Sequence, residues 1–63
     1  MDIKLTSTEW YNKGNECRRN QDLEGALNAY QEAIELDPSS PAVHARQMLI
    51  DILEFYHKDA YNP

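Results

Sequence analysis

Residues 10–38, WYNKGNECRRNQDLEGALNAYQEAIELDP, place large and small apolar side chains at helical spacings, and the positions of the small ones decide the fold. Trp10, Gly14 and Cys17 follow one another at intervals of four and three, which puts them on one face of a helix. Leu23, Ala26, Leu27, Tyr30, Ala33 and Ile34 form a continuous stripe on a second helix. Asn20, Gln21 and Asp22 interrupt the two patterns. Asn20 is expected to take the left-handed conformation that ends the first helix, and Asp22 to cap the second. A glycine inside a helix costs about 1 kcal/mol relative to alanine, so Gly14 calls for an offsetting contact. Close approach of the two backbones supplies one. The expectation is that Gly14 faces Ala26, inside the usual interaxial spacing of about 8–10 Å, with Trp10 and Tyr30 at the ends of the seam.

Outward from this stretch, the helix boundaries follow from local signals. Thr6 and Glu9 stand in the S/T-x-x-E relation of a capping box, and Leu5 and Trp10 at the two ends of a hydrophobic staple, so the first helix is expected over about residues 7–20. The second should run over about 23–37, because Pro38 disfavours the helical conformation at the residue before it. Ser40 as cap and Pro41 in the first turn then open a third helix, expected over 41–58, with "DAYNP" as an irregular tail at 59–63. The fold class is therefore all-α: a helix-turn-helix hairpin plus a third helix, in a single domain over residues 1–63.

The pattern resembles the tetratricopeptide repeat, whose signature is W-x2-L-G-x2-Y, then A-x3-F, then P. Over residues 7–40, Trp10, Gly14, Ala26, Ala33 and Pro38 match in type, and Tyr30 stands where an aromatic is expected. Lys13, Cys17 and Gln21 depart from the usual Leu, Tyr and turn Gly. Such repeats are normally stacked, and this chain carries one. In the third helix His44, Gln47 and Met48 occupy places where the family prefers Trp, Leu and Gly, so that helix resembles a modified cap.

The third helix predicts self-association. Its apolar residues, from Phe55, Met48 and Ile52 round to Leu53, span an arc of roughly 160°, against the ~100° that one buried face requires. Val43 and Ile50 add a second small patch. A second copy of the chain is the simplest cover, and a two-fold interface is the commonest solution. Met48, Ile52, Phe55 and Tyr56 are the expected self-association residues of a homodimer.

A 63-residue chain has a thin stability margin on its own, and the single cysteine excludes an internal disulfide. The net charge of −5 is uneven: residues 1–19 carry +1 and residues 20–63 carry −6. An acidic surface repels phosphate backbones, which argues against nucleic acid as a partner. The opening MDIKLTSTEW lacks an apolar run behind a basic patch, and no segment approaches the ~20 apolar residues of a membrane span. The expectation is a cytoplasmic protein without a membrane partner.

Motifs for catalysis are missing from the spacing: there is no HExxH, no CxxC, no glycine-rich phosphate loop and no Ser/His/Asp arrangement. Cys17 falls on the buried seam, where a free cysteine behaves as a small hydrophobe. His44 and His57 are about 220° apart on a helical wheel and do not aim at a common metal ion. No cofactor is expected. What the resemblance does imply is a binding surface, the concave side lined by the first helix. Carried over position by position, that side presents Thr8, Tyr11, Asn15, Arg18 and Arg19 to a protein or peptide partner. The leading expectation is a non-catalytic protein-protein interaction module, self-associating, with a docking surface. A purely structural homo-oligomeric assembly unit, and a small metal or thiol protein using Cys17 or the histidines, are the alternatives.

Overall fold

The computed structural model describes the backbone of residues 4–61 and the side chains of residues 4–55. Three helices follow in order: α1 (Ser7–Arg19), α2 (Leu23–Leu36) and α3 (Ala42–Tyr61). Each start is set by local chemistry. The Thr6 N–H donates to the Glu9 carboxylate at 2.8 Å and Glu9 N–H to the Thr6 hydroxyl at 3.1 Å, closing the capping box. Gly25 N–H donates to Asp22 Oδ1 at 3.0 Å at the start of α2. At the start of α3, Ala42 N–H donates to the Ser40 hydroxyl at 3.1 Å, with Ser40 itself buried. α2 stops where expected, with Asp37 in an extended conformation before Pro38. Ser39 donates to Asp37 Oδ1 from both its backbone N–H and its hydroxyl, which holds the Asp37 carboxyl below the usual range.

Two expectations about local structure are corrected. The left-handed residue of the first turn is Gln21, with φ 65°, whereas Asn20 keeps φ −87° and ψ 8°. Asn20 still closes the helix through its N–H, which reaches the carbonyls of Glu16 and Cys17, but the reversal of direction falls one residue later. The helix α3 runs to Tyr61, so residues 59–61 are helical and not an irregular tail. Residues 62 and 63 lie outside the described part.

α2 is the middle helix. It packs against α1 on one side and α3 on the other, whereas α1 and α3 touch only weakly. Ala26, Tyr30, Ala33, Ala42, Ala45 and Leu49 form the core, with Trp10, Tyr11, Cys17, Leu23, Leu27 and Ile34 half-buried around it. Ala29, outside the stripe legible in sequence, is also buried because α2 is covered on two sides. Gly14 is buried as expected, but its neighbour is different. An added Cβ there would lie 2.5 Å from Cδ1 and Cε1 of the Tyr30 ring, so the phenol, not Ala26, fills the space above the glycine. Ser7 ties the open end of the hairpin by donating to the Ala33 carbonyl at 3.1 Å.

The shape is elongated. The radius of gyration is 13.1 Å, against about 11 Å for a compact chain of this length. At about 1.5 Å per residue, α3 is near 30 Å long and α2 near 21 Å. Among the described side chains of α3, the buried ones are Ala42, Ala45 and Leu49.

Candidate functional site

The exposed side of α1 carries an open concavity of about 400 Å³ lined by Asn12, Asn15, Arg18 and Arg19. Helical spacing assembles it: residues 12, 15 and 19 stack one turn above another, with Arg18 at the edge. Three of the expected binding residues, Asn15, Arg18 and Arg19, are thus brought together. Thr8 is exposed on the same helix without lining the concavity. Tyr11 is half-buried, and its ring leans on Tyr30 with centroids 5.9 Å apart and an interplanar angle of 38°. Asn12 completes the site, and its i, i+3 relation to Asn15 is the sequence signal that places it there.

Asn15 is already engaged. The Tyr30 hydroxyl donates a hydrogen bond to its Oδ1, so only the amide NH2 of Asn15 remains to donate outward. Burial pushes the Tyr30 phenol up, against the opposing charge of Arg18 and with smaller contributions from Tyr11 and Cys17. The neutral Tyr30 is what keeps the donor on Asn15. What the concavity then offers is two guanidinium groups and amide donors, a set suited to carboxylates.

A second concavity of about 540 Å³ lies at the open end of the hairpin, lined by Lys4, Leu5, Trp10, Glu32 and Leu36. Leu5 and Trp10 meet there, the two ends of the staple. Leu36 points into it from outside the α2 stripe, which is why periodicity alone passes it over.

Of the expected self-association residues, Met48, Ile52 and Phe55 share one exposed flank of α3. Met48 is 55% exposed, Ile52 42% and Phe55 63%. The side chain of Tyr56 lies outside the described residues, as does that of His57. Cys17 is half-buried against the core. Among the described residues no three His, Cys, Asp or Glu side chains converge as metal ligands, and no helix is long and apolar enough to cross a membrane.

A two-helix hairpin with a glycine under an aromatic ring, followed by a helix packed on its second member, is the architecture of a helical-repeat protein. The tetratricopeptide repeat pattern matches residues 7–40, and the chain belongs to that family. Among solved structures it is similar to the Bacteroides fragilis protein BF1650, determined in solution by NMR. The two are 54% identical with a TM-score of 0.79, over 89% of this chain and 57% of the other. The chain therefore spans little more than half the length of that relative. No curated protein matches it significantly.

Proposed function

We propose that the chain is a non-catalytic, cytoplasmic protein-protein interaction module whose α1 face takes an acidic protein segment. The observation that carries the reading is the concavity in which Asn12, Asn15, Arg18 and Arg19 converge. Membership of the tetratricopeptide repeat family supports protein partners in general. The arginines are the basic spot of a chain of net charge −5, which favours carboxylates and disfavours nucleic acid. Carboxylates meet the guanidinium planes in a bidentate fashion, and the Asn15 amide donates to a backbone carbonyl of the segment. Fluorescence anisotropy with an acidic peptide tests it. Affinity should fall gradually as salt is raised, because exposed charges are screened over about 8 Å at physiological ionic strength. It should be lost in the double substitution Arg18→Glu, Arg19→Glu. Unchanged affinity in that variant removes the arginines from the site.

The exposed flank of Met48 and Ile52 on α3 supports a second reading, self-association as a homodimer. Apolar residues exposed in a row on one helix mark an interaction surface. The single domain over residues 1–63 belongs to the same reading, since every described helix contacts α2.

A further inference from the structure

We infer that the acidic segment taken by the α1 face is α3 of a second copy of this chain, so that the arginine site and the exposed flank of α3 are two halves of one interface. The inference rests on the reading of the α1 face as a site for acidic segments and names its occupant. Three observations carry it. The first is charge. On α3, the exposed Asp51 and Glu54 lie beside the exposed Met48 and Ile52, giving one helix flank with an acidic edge and an apolar edge. On α1, Arg18 and Arg19 are exposed and line the concavity, with the half-buried Tyr11 ring two turns earlier on the same helix. The carboxylates of one surface complement the guanidinium groups of the other.

The second observation is position. α1 runs toward the turn at residues 20–22, α2 runs away from it, and α3, packed on α2 after a short connection, runs back toward it. Arg18 and Arg19 lie at the end of α1 nearest that turn, and Asp51 and Glu54 lie about midway along α3 as it returns toward the turn. Reciprocal docking, in which each copy gives α3 and receives it at α1, is the arrangement that closes as a dimer, whereas one-way docking runs on as an open chain of copies. The third observation concerns the alternative of α3 against α3. That pairing brings two acidic edges to one seam, where like charges repel. Docking on α1 places the same carboxylates on guanidinium groups.

Charge reversal on the full-length chain tests this. Sedimentation equilibrium is run on the wild type, on Arg18→Glu with Arg19→Glu, on Asp51→Arg with Glu54→Arg, and on all four together, with circular dichroism to verify helicity. All four side chains are exposed, so the fold should survive. Either pair should weaken association by about tenfold or more, and the fourfold variant should return to within about threefold of the wild type. A fourfold variant no tighter than its parents, or a wild type that associates without regard to the arginines, overturns the proposal. A wild type that stays monomeric yet binds fluorescein-labelled oligoglutamate through Arg18 and Arg19 also overturns it, while leaving the α1 site standing. Monomers that ignore oligoglutamate remove both.

Discussion

The ring of Tyr30 lies over Gly14 so closely that a Cβ on residue 14 would sit 2.5 Å from two ring carbons. Tyr30 is fully buried and hydrogen-bonded at its far end to Asn15, so it has no room to yield. Gly14→Ala should therefore lower stability, the strain of overpacking (about 1–3 kcal/mol) exceeding a helix-propensity gain of about 1 kcal/mol. Reading Gly14 against Ala26 would make that substitution harmless. Gly14→Leu should loosen the hairpin altogether. Thermal melts check both, and an alanine variant as stable as the wild type would show that the ring moves aside freely.

Gln21 occupies the left-handed region at φ 65°, where a side chain is unfavourable and glycine is not. Gln21→Gly should stabilise the chain by about 0.5–1 kcal/mol after the greater freedom of the unfolded glycine is counted. Asn20→Gly, one residue earlier at negative φ, should give no such gain. Urea titrations of the pair distinguish the two positions.

Tyr30→Phe keeps the ring over Gly14 and removes the hydroxyl that donates to Asn15. The cost should be about 1 kcal/mol, because a part-buried acceptor loses its partner. The same residue confers a dependence on alkali. Its folded pKa is raised by burial, so its contribution is fully present below the unfolded tyrosine pKa, near pH 10, and is lost as pH rises through the folded value. Melting temperature should fall more steeply above about pH 10 in the wild type than in Tyr30→Phe. Parallel slopes would remove Tyr30 from the alkaline loss.

Ile52→Glu places a charge in the middle of the exposed flank of α3. If that flank is buried between copies, the carboxylate loses its hydration there and association should weaken by several kcal/mol. The wild type should then melt at a temperature that rises with protein concentration, and the variant at one that does not. A wild type whose melting is independent of concentration would leave α3 as a cap on α2.

Signals written within a few residues of one another were sufficient for the hairpin. The Thr6–Glu9 box, the Asp22 cap, the stop before Pro38 and the apolar stripe from Leu23 to Ile34 act through hydrogen bonds and spacings internal to one turn of helix, so the order of elements and the family could be read before any packing was known. The family resemblance named Asn15, Arg18 and Arg19, which line one concavity of α1, together with Thr8 and Tyr11, which do not line it. What only the tertiary structure decided depends on how helices cross. That Tyr30 rather than Ala26 covers Gly14, that Ala29 is buried, and that Asn15 spends its carbonyl on Tyr30 follow from the angle and depth at which α1 and α3 meet α2. Periodicity reports which side of a helix is apolar. It does not report which atom of a neighbouring helix arrives there, because that is settled by close packing of side chains far apart in the chain.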